Sequence, residues 1–479
     1  MDDENQKRYK IKGVEKKKNY FSNCFLNYSL LDGRIMAVND KYLALAYLGK
    51  GNIKLLDSSQ PINLLNHFST YNLEDSNILD MEFSPFDSDL LCFCNENSRV
   101  FLSKINYRAS NDYELNSSAY KGHERKVNFI NFNPIASNIM VSATSYGDIH
   151  IWESEEFKTY MQLKLAYNPN TILWSPNGDL IGITAKNKFL TIYDPRNRNA
   201  IFQEQISQNS LVTKFAWLDN NTVATVGINN DNKKVLSLLD IRKNNENKYN
   251  NTHSNIFSMI EINPYNPYTS VTVPYVNPEL KLIYCVGQEE NSIKIFDYCT
   301  GTLKKNNEFI AAEKNIFSVL LNRQYLNKSK IEVDRFARYT KNRNIFYISF
   351  NLLPGQNFDG ILYPSEEISK PQMNSNDWMN GKKIKKIQTK VYQKRQKHSN
   401  YRLEGQDNEQ NNKTGKKIIE KENIWKNVHK ENNDDNKLLN SASKNKDSKQ
   451  VDYENLNKDI EKEPKSLESK ITDLQNLLL

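Results

Sequence analysis

The sequence predicts an all-β chain arranged as a seven-bladed propeller. Two observations carry the prediction: one strand pattern recurs with the same ending, and turn residues separate the copies. The pattern is clearest in "IHIWE", residues 149–153, where Ile149 and Ile151 alternate with His150 before the segment closes on Trp152 and Glu153. Period-two alternation puts the two isoleucines on one face of a strand. The same kind of ending returns as "IKLLD" at Asp57, "LTIYD" at Asp194, "LSLLD" at Asp240 and "IKIFD" at Asp297. Two weaker copies, "VFLSK" at Lys104 and "IFYIS" at Ser349, raise the total to seven, with endings 41 to 57 residues apart.

Within a unit the order of elements is also repeated. "GHERKVNFINFNP" holds a strand ending near Asn133 and Pro134, a second strand runs through Val141, and Tyr146-Gly147 marks the turn before "IHIWE". The next unit repeats this order, with Ser175-Pro176-Asn177-Gly178 as the turn between two strands. A unit of three or four short strands cannot bury both faces by itself, whereas radial stacking buries both. The spacing is a little longer than the roughly 40–45 residues of a WD40 repeat, an excess that loop insertions accommodate.

Composition divides the remaining chain. Of 479 residues, 38% are hydrophobic and 25% charged, and the hydrophobic ones crowd into the first three quarters. We therefore expect a propeller over 1–354, an extension over 355–402 ending in a basic run, a disordered polar linker over 403–463, and a short coiled coil over 464–479. Residues 382–402 contain nine Lys or Arg and no acid. From 382 to 479 there are 23 basic and 16 acidic residues, so nearly all of the net charge of +8 lies in this tail. Such a run attracts anionic surfaces in a salt-sensitive way. In the last segment Leu467, Ile471, Leu474 and Leu478 form one apolar stripe on a helix, with Pro464 limiting it to about two heptads.

No stretch of 18 apolar residues and no apolar leader occur, and the five cysteines lack paired spacing, so a reducing cytoplasmic setting is expected. Cys92 and Cys94 read as core residues of a strand. The six histidines are scattered, and neither a nucleophile elbow nor a phosphate-binding glycine loop is present. The expectation is a binding protein with no catalytic residues, no metal site and no cofactor.

Several segments resemble the coronin family. Those from Gly122 ("GHERKVNFINFNPIASNIMVSA"), from Trp174 to Arg196 and from Val273 to Asp297 resemble successive coronin blades. "IEVDRFARY" from Ile331, "FDGILYPS" from Phe358 and "NDWMNGK" from Asn376 resemble, in order, the last blade and the extension that coronins pack beneath the propeller. The resemblance covers residues from about 30 to 385. It implies binding to F-actin, self-association as a dimer or trimer through the coil, and a place at the actin cytoskeleton or cell cortex. Anionic membrane lipids and the Arp2/3 complex are further partners that it admits, and nucleic acid is not expected.

The resemblance also assigns residues. Tyr28 aligns where the family's key basic residue stands, which leaves Lys16, Lys17, Lys18 and Arg34, with Lys382, Lys383, Lys385 and Lys386 in the basic run, as candidate actin contacts. His123, Trp152 and Trp378 are structural candidates. His123 and Trp152 belong to a His–Ser/Thr–Asp–Trp hydrogen-bond network, yet Tyr146 occupies its expected acidic position and Asp148 is displaced, so the network should be incomplete or rearranged. In the coil, Lys470 and Gln475 stand for the usual Arg and Glu, which removes a bidentate pair that would favour a trimer. The alternative to a filament-binding protein is a WD40 scaffold for membrane traffic or signalling that has lost actin binding.

Overall fold

The computed structural model describes residues 9–27, 33–58, 69–72, 75–108, 112–208, 213–242, 255–263, 271–299, 301–353, 356 and 370–382. Seven four-stranded antiparallel sheets form a seven-bladed β-propeller. In blade one the strands are Met36–Val38, Tyr42–Ala46, Asn52–Asp57 and Ser69–Asn72, and blade two holds Ile78–Phe83, Leu90–Asn95, Val100–Arg108 and Asp112–Tyr120. Val127–Phe132, Ile139–Thr144, Asp148–Glu153 and Lys158–Lys164 make blade three, and Pro169–Trp174, Ile181–Ala185, Phe189–Asp194 and Asn199–Gln205 make blade four. Lys214–Trp217, Thr222–Ile228, Lys234–Asp240 and Ile256–Asn263 make blade five, and Thr272–Asn277, Leu282–Gly287, Ser292–Asp297 and Lys304–Ile310 make blade six.

Each recurring sequence ending falls on the third strand of its blade. The fourth, outer strand is poorly marked in the sequence because one of its faces meets water: Lys158–Lys164 and Asn199–Gln205 each bury a single side chain. Inner strands are sealed between neighbouring blades on both faces, so Ile139–Thr144 and Leu282–Gly287 are buried along their whole length.

Blade seven closes the ring with chain from both ends. Asn315–Leu320, Glu332–Thr340 and Ile345–Leu352 come from the end of the propeller sequence, whereas the outer strand, Ile11–Phe21, comes from its start. Ile11 pairs with Leu352 and Phe21 with Ile345, with a register slip between Glu15 and Tyr20. This closure removes the exposed edge that an open seven-blade sheet array would leave.

The turn predicted at 175–178 joins Pro169–Trp174 to Ile181–Ala185. The Gly178 amide donates to Ser175 O at 2.8 Å, and Gly178 holds φ +69°, a left-handed conformation that glycine adopts without a Cβ penalty. Cys92 and Cys94 are buried in the core between blades two and three, with Val127, Met140 and Trp152. Most of the predicted extension, the basic run beyond Lys382, the predicted linker and the predicted coil fall outside the described residues.

Candidate binding surface and the networks that shape it

Arg34 sits where the chain enters blade one, and it is committed to a clasp that joins three blades. Its Nε donates to Asp80 Oδ1 at 2.8 Å, its Nη1 meets Glu82 Oε1 at 2.9 Å, and its Nη2 donates to the Ile130 carbonyl at 2.5 Å. Asp80 also accepts from the Ile130 amide at 2.9 Å, while Glu82 accepts from Asn131 Nδ2 at 3.0 Å and the Phe132 amide at 3.0 Å. Asp80 and Glu82 alternate on the innermost strand of blade two, so both reach the innermost strand of blade three. A Cβ on Gly33 would lie 2.1 Å from Leu79 O, so glycine allows the chain to pass close enough for Arg34 to join them.

The charges in the clasp offset one another. Burial opposes ionisation of Arg34, but Asp80 and Glu82 hold its pKa well above the ordinary arginine value. Burial pushes the Glu82 carboxyl up, while Arg34 opposes that shift. Arg34 also lines a space of about 410 Å³ with Phe129, Lys214, Trp217 and Tyr275. Arg34 thus has an inter-blade role that accounts for its charge without an external partner.

Blade three contains a second buried polar network. His123 Nε2 lies 2.7 Å from Ser142 Oγ, to which Trp152 Nε1 donates at 3.2 Å. Trp152 stacks on Tyr120 at 4.6 Å between centroids, and His123 stacks on His150 at 3.9 Å. His123 Nδ1, where an acid would complete the expected relay, has no hydrogen-bond partner among the described residues. Asp148 instead accepts from Thr144 Oγ1 at 3.2 Å and pairs with Lys164. Burial, followed by the neighbouring His150, pushes the His123 pKa down to about 3, so the imidazole is neutral at physiological pH.

Trp378 anchors the described end of the extension to the propeller. It is buried in the short helix Ser375–Met379, capped by Asn374, whose side chain accepts from the Asp377 amide at 2.7 Å. Trp378 Nε1 donates to Gly178 O at 2.7 Å, and its ring meets Trp174 edge-on at 5.5 Å. Before the helix, the Gln372 amide donates to Ile135 O at 2.9 Å and the Ser137 amide to Met373 O at 3.0 Å. The stretch from Gln372 to Trp378, which runs into the predicted "NDWMNGK" segment, therefore spans blades three and four.

Of the other predicted contact residues, only some fall among the described residues. Lys16, Lys17 and Lys18 lie in the outer strand of blade seven, at the register slip. Lys382 pairs with Asp377 at 2.9 Å, beside the Trp378 anchor. Tyr28, Lys383, Lys385, Lys386, Leu467, Ile471, Leu474 and Leu478 lie outside the described residues. Sequence reading missed Asp80 and Glu82, although the alternating acids of "LDMEF" on an otherwise apolar strand were a signal that something cationic faces that strand. Among the described residues, no group of three or more His, Cys, Asp or Glu could hold a metal ion, and no helix is long and apolar enough to cross a membrane.

Seven four-stranded blades, a ring closed by the N-terminal strand and the His–Ser–Trp relay of blade three define a WD40-type propeller. Comparison with known proteins narrows that class. Coronin-like protein crn1 of Schizosaccharomyces pombe is 22% identical over 382 residues, spanning 77% of this chain and 61% of the relative. Human Coronin-2A is 21% identical over 382 residues, spanning 76% of this chain and 70% of its own. The crystal structure of the WD40 domain from Toxoplasma gondii coronin superposes with a TM-score of 0.70 at 22% identity, covering 79% of this chain and 97% of that one. No family model matches. The chain is a WD40-type propeller that is similar to coronins over about three quarters of its length, and it spans about three fifths of the length of the fission-yeast relative.

Proposed function

We propose that this protein binds actin filaments and cross-links or organises them, as a non-enzymatic scaffold of the cytoplasmic actin cytoskeleton. The observation that carries the reading is coronin similarity that extends over three quarters of the chain, with the Trp378 anchor packed against the propeller as the family resemblance implies. The mechanism is multivalency. Weak basic contacts, including the run from Lys382 through Lys383, Lys385 and Lys386, act together when the C-terminal stripe joins copies, raising the effective concentration of each contact. Self-association through Leu467, Ile471, Leu474 and Leu478 would be the means of bridging filaments.

Co-sedimentation of the full chain with actin filaments at low and moderate salt tests this reading. Pelleting that weakens with salt is the expected result, and no pelleting at either salt overturns it. Deleting residues 465–479 should reduce bundling more than pelleting, whereas equal loss of both contradicts cross-linking through the coil.

A second reading is supported by Arg34. Its charge is taken up by Asp80 and Glu82, and Tyr28 aligns at the family's basic position, so the blade-one contact has lost its obvious cations. The protein would then be a scaffold for membrane traffic or signalling, recruited to anionic lipid. Flotation with anionic liposomes, in the absence of filament pelleting, would favour this reading.

A further inference from the structure

Several described cations on the propeller are held by carboxylates. Arg34, Lys41, Lys104, Lys164 and Arg323 each pair with a carboxylate. On neighbouring loops of blades three and four, four cations without such a pair lie near two exposed tyrosines. Lys121, Arg125, Lys126 and Lys186 form no ion pair among the described residues, and all except the half-buried Lys126 are exposed.

These residues lie along one contiguous surface. The Arg125 guanidinium sits 4.3 Å from the Tyr146 ring centroid. Gly147, next in the chain, accepts through its carbonyl from the Leu165 amide at 2.8 Å, and two residues further is Tyr167. The Asn168 carbonyl then accepts from the Lys186 amide at 2.9 Å. Tyr146 and Tyr167 are 48% and 53% exposed, unusually open for large rings in this fold. Only two acids lie among these loops, Glu124 and Asp148, and Asp148 is already paired with Lys164.

We propose that this surface, formed by residues 121–126, 145–147, 165–168 and 186, seats an acidic segment of a partner protein. Unpaired cations supply the charge complement to carboxylates and steer encounter. Tyrosine and arginine are the side chains that concentrate at energetically important points of protein interfaces, because they bring area and hydrogen-bonding groups at little conformational cost. Stacking on Tyr146 already orders Arg125 while leaving its N–H edges for a carboxylate, so less freedom is lost when a partner binds. The surface shares no residue with the predicted filament contacts and does not depend on the filament reading.

The test uses the full chain and a fluorescein-labelled glutamate-rich peptide followed by anisotropy. Arg125→Glu with Lys186→Glu should weaken binding at least tenfold. Tyr146→Ala with Tyr167→Ala should weaken it severalfold, and this loss should persist at higher salt, where charge attraction is screened. Lys121→Ala with Lys126→Ala leaves the Arg125–Tyr146 stack intact and should also weaken binding. Carbodiimide cross-links to the peptide should map to Lys121, Lys126 and Lys186. Unchanged affinity in the charge-reversed variant, no peptide binding at low salt, or cross-links confined to 382–402 would overturn the proposal. Tighter binding of phosphatidylserine vesicles or duplex DNA than of the peptide, lost in the same charge-reversed variant, would overturn it in favour of phosphate recognition.

Discussion

The three-blade clasp around Arg34 and the His123 network of blade three are both buried polar networks between strands, yet they satisfy their groups differently. In the clasp, two carboxylates surround one guanidinium and also accept from backbone amides of the next blade, so charge and hydrogen bonds close together. In blade three no acid takes up His123 Nδ1 among the described residues, and His123 is kept neutral against a second histidine. Ionic closure makes the clasp sensitive to loss of either partner, whereas a neutral relay makes blade three sensitive to protonation.

The largest effect should come from breaking the clasp. Asp80→Asn leaves Arg34 only Glu82 as a compensating carboxylate and alters the acceptor for the Ile130 amide. Because the Arg34 side chain is 31% exposed, solvent recovers part of the cost. A loss of about 2–4 kcal/mol is expected in urea unfolding. A change under about 0.5 kcal/mol, the scale of an exposed pair, would mean that the clasp is held by packing alone.

In blade three, Ser142→Ala removes the hydroxyl shared by His123 and Trp152. The expected loss is about 1–2 kcal/mol, measured in the same way. A loss equal to that of Asp80→Asn would erase the distinction between the networks.

The pH response sharpens the contrast further. Folded His123 resists protonation down to about 3, while in the unfolded chain it titrates near its ordinary 6.5. Between these values the unfolded chain binds a proton that the folded chain does not, so stability is full above 6.5 and falls as the pH is lowered through the window. His150 is shifted the same way by burial and adds to the effect. His123→Gln should flatten the stability slope between pH 6.5 and 5 by up to about 1.4 kcal/mol per pH unit. An unchanged slope would show that His123 is not the group being protonated.

The smallest effect belongs to an exposed pair. Lys382→Ala removes the partner of Asp377, but Lys382 is 64% exposed, and the change in melting should correspond to no more than about 0.5 kcal/mol. A larger loss would mean that the pair helps to hold the Trp378 anchor.

Much of the fold could be read from local pattern. Third strands such as Asp148–Glu153 and Ser292–Asp297 are buried along almost their whole length, so they leave a compact apolar signature, as in "IHIWE" and "IKIFD". Outer strands such as Asn199–Gln205 have one wet face and leave almost none. The pairing of Ile11–Phe21 with Ile345–Leu352 was illegible for another reason: its partners are separated by nearly the whole propeller, and local periodicity carries no information about such distant register. The candidate sites divide similarly. Tyr146 at an acidic position foretold the altered relay, whereas Arg34, a plausible surface cation in sequence, proved to be an inter-blade strut.

The sequence by itself determined the number of blades, the core character of Cys92 and Cys94 and the aromatic identity of Trp378, because burial and turn formation act on neighbouring residues. Only the tertiary structure decided how the ring closes, which cations are consumed internally and which remain at the surface. Lys121, Arg125 and Arg34 carry the same unit charge along the chain. What separates them is whether folding brings carboxylates from other blades within hydrogen-bonding distance, a property of three-dimensional neighbours that spacing along the chain does not encode.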